Sequence, residues 1–351
     1  MKPQNSSPVI DPAKIKIAIN GFGRIGRTAF QVSLEKKNLE VVAINDLGDP
    51  DNLAYLLKYD SVYGRYPKKV EGEREQIKVD GRGYRCYSEK DPAKLPWKML
   101  DVDIVLECTG FFTEREGAEK HLQAGARRVI ISAPTKSEDV PTYIIGVNHQ
   151  EYKKEDLIVS NASCTTNALA PLLKVLNDSV GVEKSLMTTV HSYTSTQNLV
   201  DGPATKDFRR GRAAALNMAP STTGAAIAVT KALPALAGKF DGLAVRVPTP
   251  CVSLVDLVVL SKKDTEQEEV NKIFTEAARG SLQGILEVVN EPVVSTDFVR
   301  DPHSVIVDLG MTQVVQGNLL KVLGWYDNEW GYSVRLVELA EHIGRGIKND
   351  Q

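Results

Sequence analysis

No run of apolar residues in this chain approaches the roughly 18 that a membrane-crossing helix requires, so no spanning segment is expected. Cysteine is scarce. Cys86, Cys108, Cys164 and Cys251 stand apart, in no paired spacing of the kind that zinc sites or disulfide frameworks show. That pattern excludes a metal cluster and points to free thiols in a reducing cytoplasm. Neither sign of charge is in excess: 43 Lys and Arg against 45 Asp and Glu give a formal net charge of -2. Electrostatics therefore supplies no reason to expect nucleic acid as primary partner, or an anionic membrane. The opening residues "MKPQNSSPVIDPAK" lack the apolar core of a signal peptide and read as a short extension. Internal repeats and low-complexity tracts are also missing. What remains is an ordinary globular composition, 42% hydrophobic and 25% charged, in 351 residues. That is too long for one core, so two domains are expected.

From Lys14 to about Ser132, short β-branched runs alternate with helix-length segments. "KIKIAIN", "LEVVAIND", "VDIVLECTG" and "RRVIISAP" read as buried strands; "GRIGRTAFQVSLEK", "DNLAYLLKYD" and "TEREGAEKHLQAGA" read as helices. Such alternation predicts right-handed crossovers and a Rossmann-type, doubly wound parallel sheet. A polar, Gly-rich insertion of short antiparallel strands interrupts it between about Tyr63 and Pro92. After Cys164 the texture changes. The helix "TTNALAPLLKVLNDSV" leads into the strand "EKSLMTTVHSYT" and then a long irregular stretch from about Thr194 to Pro220. Loops of that length in compact domains are usually functional. Strands at "GLAVRVPT", "VSLVDLVVLSK" and "GNLLKVLGWYD" predict an α+β domain with a mostly antiparallel sheet, and "EWGYSVRLVELAEHIGRGI" a closing helix.

"IAINGFGRIG" sets Gly21, Gly23 and Gly26 in the G-x-G-x-x-G spacing between a strand and a helix. Gly21 allows the sharp turn, Gly23 the approach of a pyrophosphate, and Gly26 close helix-on-strand packing. Free N–H groups at the helix N-terminus suit the phosphates. The second strand ends at Asp46, twenty residues past Gly26, where a carboxylate can hold ribose hydroxyls. A 2′-phosphate would be repelled there, so NAD is favoured over NADP. Lys58 and Arg24 are the cations that could offset Asp46, and their helical placement turns them elsewhere.

"SNASCTTN" presents a different chemistry. A strand ends near Ser160 and a helix begins near Cys164, with Ser163 as its N-cap. Positive potential at a helix N-terminus lowers a thiol pKa, so a thiolate is expected. The alternative is an inert, packed cysteine. The helix runs roughly 24 Å and the strand returning to His191 roughly 30 Å, which brings the imidazole back towards the thiol. A Cys–His pair of that kind, with imidazolium stabilising thiolate, can open an aldehyde to hydride transfer through a thiohemiacetal.

With these motifs in view, the chain resembles the phosphorylating glyceraldehyde-3-phosphate dehydrogenases from "INGFGRIGR" to "WYDNEWGYS". "SNASCTTN" is the specific element; "HSYTSTQ", "RRGRAAALNMAPSTTGAA", "RVPTP" and "WYDNEWGY" follow in the family's order. The resemblance implies Cys164 as nucleophile and His191 as its base. It implies Ser163, Thr165, Arg210, Thr223 and Gly224 around inorganic phosphate, and Thr194 and Arg246 on the substrate phosphate. It assigns Arg24, Ile25, Asp46, Thr109, Ser132 and Asn328 to the cofactor, Asn328 to the nicotinamide carboxamide, alongside Gly21, Gly23 and Gly26. Pro203 falls in the loop that reaches a neighbouring subunit in a homotetramer. Residues 1–162 with the C-terminal helix 329–351 would form the NAD-binding domain, and 163–328 the catalytic domain.

The expected activity is NAD-dependent oxidative phosphorylation of D-glyceraldehyde 3-phosphate to 1,3-bisphosphoglycerate, a step of glycolysis and gluconeogenesis, in the cytoplasm. The alternative is erythrose-4-phosphate dehydrogenase, which shares fold and Cys–His pair. A cysteine hydrolase would have no use for Gly21, Gly23, Gly26 and Asp46. Residue chemistry agrees at two further points. Arg246 in the apolar "LAVRVP" needs an anion to justify its charge, and Lys206, Arg209, Arg210 and Arg212 make a basic run near the thiol. Three positions depart from the family's common pattern. Lys90 stands where Arg is frequent, Ile227 where Lys is usual, and Cys251, a candidate redox site, where Asn or Asp is usual.

Overall fold

The structure, a computed structural model, describes residues 14–205 and 207–349; the N-terminal extension and Lys206 lie outside the described residues. The chain forms two compact units, one running to Ile130 and taking up the segment from Ala340, the other spanning Ile131–Leu339.

In the first unit come β1 (Ile15–Asn20), α1 (Arg24–Glu35), β2 (Leu39–Asn45) and α2 (Pro50–Lys58). The short strands β3 (Tyr59–Asp60), β4 (Gly64–Arg65), β5 (Val70–Glu73), β6 (Gln76–Val79) and β7 (Arg82–Tyr87) follow, then β8 (Ile104–Glu107), α3 (Arg115–Gln123) and β9 (Arg128–Ile131). Along the sheet the order is β9-β8-β1-β2-β7-β6-β5. β1 lies parallel to both β2 and β8. Its residues are buried throughout, as a central parallel strand covered on both faces must be. The polar insertion forms antiparallel strands, and its last member, β7, joins β2 in parallel. The final turns of the C-terminal helix belong to this unit. A Cβ on Gly344 would come within 2.5 Å of Ile15, so only glycine allows that approach.

A buried polar chain ties the carboxyl ends of β1, β2 and β8 together. Glu107 accepts from Asn20 Nδ2 at 2.5 Å, His121 Nε2 at 3.0 Å and Thr109 N at 2.8 Å, and also from the Thr109 hydroxyl. Trp97 Nε1 lies 3.0 Å from His121 Nδ1. An indole nitrogen only donates, so Nδ1 must be the acceptor and the imidazole proton sits on Nε2, facing Glu107. Asn45 extends the chain by donating to Asn20 Oδ1 at 2.7 Å. Asn20, Glu107, Trp97 and His121 are buried and their donors are matched by acceptors, the condition under which buried polar groups stabilise rather than cost.

The second unit contains β10 (Ile158–Ser160), α4 (Cys164–Ser179), β11 (Val182–Ser192), β12 (Ala219–Thr222), α5 (Ala225–Ala232), β13 (Phe240–Val247), β14 (Ser253–Ser261), α6 (Gln267–Arg279), β15 (Leu286–Val289), β16 (Val305–Asp308), β17 (Gln313–Val315), β18 (Leu319–Tyr326) and the first part of α7 (Trp330–Asn349). Its sheet runs β12-β13-β11-β14-β18-β16-β15, with β17 on β18. Most neighbours are antiparallel, as expected; β11–β13 and β15–β16 are parallel. Val255, Leu257 and Val259, alternate residues of β14, enter the core with Leu169, Leu172, Leu173 and Leu176 of α4 and with Val270 and Phe274 of α6. The irregular stretch ends earlier than its composition suggests: Pro220 lies in β12, an edge strand that tolerates a missing N–H.

Because His121 is locked as an Nε2 donor, a Glu107→Gln amide must point its NH2 at an N–H. We expect Glu107→Gln to lose about 2–3 kcal/mol in denaturant unfolding. Adding Trp97→Phe frees Nδ1 to take the proton and should recover part of that loss, giving a non-additive double-mutant cycle; strict additivity would refute the tautomer assignment.

Candidate active site

The nucleotide end of the first unit is built from β1, α1 and β2. Gly21 has φ +92°, and a Cβ there would sit 2.7 Å from Thr109 N. At Gly26 a Cβ would stand 2.0 Å from Gly21 O, whereas at Gly23 it would meet nothing within 4 Å. The turn is thus closed against side chains at two points and open at the third. Gly23 caps α1 with no side-chain hydrogen bond, and the first turn, which includes Ile25, carries no acidic residue. Its N–H groups suit an anion. Asp46 is held by Phe22 N at 2.7 Å and Gly48 N at 2.8 Å, one amide on each carboxylate oxygen. Arg24 pairs with Asp60 and lies over the Tyr63 ring, and Lys58 lies over Tyr59. Neither cation is directed at offsetting Asp46, so these residues fit a dinucleotide with a free ribose hydroxyl. Thr109 is tied to Glu107 as described, and Ser132 directly follows β9 as a partly buried residue of the second unit.

In the second unit, Ala162 turns the chain between β10 and α4 at φ +54°, a left-handed conformation that costs a residue with a Cβ about 1 kcal/mol or more. Ser160 Oγ accepts its N–H at 3.0 Å and Tyr332 OH donates to its carbonyl at 3.0 Å, which fixes the turn. Ser163 caps α4 by accepting from Thr166 N at 3.1 Å. Cys164 follows as the first helical residue, partly buried, with Sγ 3.5 Å from His191 Nε2. On the other side of the ring, His191 Nδ1 lies 2.7 Å from Ser192 O and 2.6 Å from Arg246 Nη1. The last pair follows from register, because His191 of β11 is opposite Arg246 of β13 in a parallel ladder. Arg210 is held by Ser221 Oγ at 3.0 Å and Thr196 Oγ1 at 3.2 Å, and Asp207 lies 3.6 Å away. Thr194 Oγ1 is 2.9 Å from Thr196 Oγ1. Thr223 Oγ1 accepts from Ala225 N at 3.1 Å, and Gly224 begins α5 with open space where a Cβ would be. Arg212 is occupied by Asp201 at 2.8 Å, so the basic run does not act as one cluster.

Protonation departs from the expected thiolate–imidazolium pair. Burial pushes the Cys164 thiol up, against the smaller lowering effects of Arg246 and Thr165. Burial, followed by the Arg246 charge, pushes His191 down to about 3. Desolvation thus acts against the helix terminus at the thiol and against the imidazolium at the ring, away from a thiolate–imidazolium pair. Such a pair can attack a carbonyl once the imidazole takes the thiol proton.

Comparison with known proteins decides the family. Residues 15–115 match the family model described as glyceraldehyde 3-phosphate dehydrogenase, NAD binding domain, and residues 163–328 the C-terminal domain of the same family. The chain is 56% identical to glyceraldehyde-3-phosphate dehydrogenase 1 of Nostoc sp., over 93% of this chain and 96% of that protein. It is 49% identical to glyceraldehyde-3-phosphate dehydrogenase 2 of Bacillus subtilis, over 96% and 98%, and 51% identical to the chloroplastic form A of Chlamydomonas reinhardtii, over 93% and 88%. The chain belongs to the glyceraldehyde-3-phosphate dehydrogenase family. NAD is its cofactor.

Several groups around this dehydrogenase site carried no sequence assignment. Tyr326 OH lies 3.0 Å from Thr165 Oγ1 and 2.9 Å from Thr189 Oγ1, and its ring packs edge-on to His191 at 6.0 Å. Its motif, "WYDNEWGY", was visible; its inward direction was not. Ser192 and Ser253 both donate to Asn328 Oδ1, at 2.8 and 3.1 Å, so the Asn328 amide presents its NH2. Cys251 is buried, with Sγ 3.2 Å from Asp327 Oδ1. Ile227 and Lys90 are exposed. Among the described residues no group of three His, Cys, Asp or Glu could hold a metal, and no helix is long and apolar enough to cross a membrane.

A buried neutral histidine has a definite acid signature. The unfolded chain protonates near 6.5 and the folded His191 only near 3, so between those values the unfolded state binds the extra proton. Stability should fall as pH drops from 6.5 towards 3, and His191 contributes nothing to the slope above 6.5. Replacing it as His191→Gln should flatten unfolding free energy against pH by up to about 1.4 kcal/mol per pH unit in that window. Parallel curves for variant and wild type would refute the buried-neutral assignment.

Proposed function

We propose that this chain oxidises and phosphorylates D-glyceraldehyde 3-phosphate, taking inorganic phosphate as second substrate and NAD as cofactor. The observation that carries the reading is Cys164 Sγ at 3.5 Å from His191 Nε2, on the first turn of α4. Cys164 is the nucleophile. As its sulfur bonds the aldehyde carbon, His191 takes the thiol proton at Nε2 and returns it to the carbonyl oxygen, leaving a thiohemiacetal. Bound NAD supplies the hydride acceptor. Oxidation of the thiohemiacetal also releases its hydroxyl proton, which His191 Nε2 takes; a phosphate oxygen then attacks the thioester carbon, the carbon–sulfur bond breaks, the sulfur recovers that proton, and the acyl phosphate departs.

Thr194 and Arg246 are assigned to the substrate phosphate; Ser163, Thr165, Arg210, Thr223 and Gly224 are assigned to inorganic phosphate. Arg210 and Arg246 supply the fixed cations such anions need. Gly21, Gly23, Arg24, Ile25, Gly26, Asp46, Thr109, Ser132 and Asn328 are assigned to NAD, Arg24 through its place at the turn rather than through its guanidinium. The functional division we adopt is 1–162 with 329–351 for the cofactor and 163–328 for the chemistry. A homotetramer is supported by one stretch in which Leu199, Val200, Phe208, Leu216 and Met218 are 76, 73, 82, 83 and 75% exposed. The four free cysteines support the cytoplasm as compartment.

The test is NADH formation from glyceraldehyde 3-phosphate, with and without inorganic phosphate, beside erythrose 4-phosphate. Phosphate-dependent turnover of the triose is expected; phosphate-independent oxidation favouring the tetrose would overturn the reading. Cys164→Ser should lose about a thousandfold or more in kcat while still binding NAD by calorimetry. Asp46→Ala should raise the NADP-to-NAD ratio of kcat/KM, and an unchanged ratio would remove Asp46 from cofactor choice.

A further inference from the structure

Three neighbouring strands of the second unit meet at one point. β11 closes with Ser192, β14 opens with Ser253, and Asn328 follows β18, in the sheet order β11-β14-β18. Ser192, Ser253 and Asn328 are 0, 2 and 5% exposed. Ser192 Oγ lies 2.8 Å and Ser253 Oγ 3.1 Å from Asn328 Oδ1. These hydroxyls decide which end of the amide faces them. Ser253 Oγ already accepts from Ser192 N at 3.1 Å, and the two hydroxyl oxygens are 3.5 Å apart. With the amide as it stands, both O–H hydrogens reach Oδ1, whose two lone pairs can take them. Were the amide reversed, its N–H groups would face the two oxygens, and the buried O–H hydrogens would be left with only the long contact to each other. An unmatched buried hydroxyl costs about 1–3 kcal/mol, so the amide is held one way round.

The corner that carries Asn328 is fixed as well. Asp327 Oδ1 accepts from Glu329 N at 2.9 Å and Trp330 N at 2.8 Å, and its Oδ2 accepts from Arg300 N at 2.8 Å. Val252, directly before Ser253, stands at φ +66°, a left-handed conformation that a β-branched residue keeps only where its surroundings specify it. Backbone and side chain are both constrained, and among the described residues nothing accepts from the Asn328 NH2.

We propose that Ser192 and Ser253 are positioning residues that set cofactor specificity: by turning Asn328 with its donor outward, they make the chain recognise the carbonyl oxygen of the nicotinamide carboxamide and not its NH2. The substituent on the pyridine ring must therefore offer an acceptor, and its amino group adds nothing at this contact. The proposal rests on the assignment of Asn328 to that carboxamide.

The test compares two dinucleotides that each alter one half of the carboxamide. 3-Acetylpyridine adenine dinucleotide keeps the oxygen and has methyl in place of NH2. Thionicotinamide adenine dinucleotide keeps the NH2 and has sulfur, a weaker acceptor, in place of oxygen. Calorimetry on the full chain gives the ratio of their dissociation constants, and wild type should bind the acetyl analogue several-fold more tightly. In Ser192→Ala/Ser253→Ala the amide is free to turn. With both orientations equally populated, half the molecules present the donor, so the preference should fall by about twofold or more. Loss of structure alone would weaken both analogues alike and leave the ratio where it was. Asn328→Asp, which can only accept, should reverse the preference. Tighter binding of the thio analogue by wild type overturns the proposal, and this comparison needs no variant to fold. So does an unchanged ratio in the double alanine variant beside a reversed one in Asn328→Asp. A wild-type ratio in Asn328→Asp rejects instead the assignment of Asn328 to the carboxamide.

Discussion

Everything in the thiol site depends on one register: β11 and β13 run parallel with His191 opposite Arg246. Through that pairing a permanent cation touches the far nitrogen of the imidazole whose near nitrogen faces Cys164. The strand supplies the position; burial supplies the consequence. With His191 only 3% exposed, burial raises the Cys164 thiol and lowers the imidazole, the direction that disfavours a thiolate–imidazolium pair.

The rest of the second unit keeps that geometry fixed. α4 carries a left-handed Ala162 just before its cap, held through both its N–H and its carbonyl by Ser160 and Tyr332. The unfavourable turn persists because hydrogen bonds and burial specify it, and it delivers Cys164 to the head of the helix. Behind the pair, Tyr326 bridges the Thr165 and Thr189 hydroxyls, tying the first turn of α4 to β11 through one oxygen.

The parts legible in the sequence were those with a local signature. Gly21, Gly23, Gly26 and Asp46 could be placed because strand, turn and helix follow one another within about thirty residues. The return of β11 from α4 could be anticipated from element lengths alone. Helix α6 escaped notice although Val270, Phe274 and Ala278 recur at the helical interval on its buried face. What local pattern cannot carry is pairing across distance. Nothing near Arg24 announces that Asp60 occupies it, and nothing near Asn328 announces that Ser192 and Ser253 fix its amide. The thiolate expectation meets an opposing effect of the same long-range kind. A helix terminus can be seen in sequence, whereas the desolvation that outweighs it is a property of the assembled core.

The chain's two buried catalytic-looking histidines obey one rule with opposite results. A group that can only donate sits on Nδ1 of each, but at His191 the Ser192 carbonyl, 2.7 Å from the same nitrogen, competes with it as an acceptor. For His121 that group is the Trp97 indole, fully buried in the first unit and packed where no ligand could draw it off. Its hydrogen is committed to Glu107, and the arrangement is structural. For His191 the donor is Arg246, only partly buried and left with an unmatched Nε. The difference between the two rings thus lies outside the imidazole, in whether the donor at Nδ1 meets a competing acceptor.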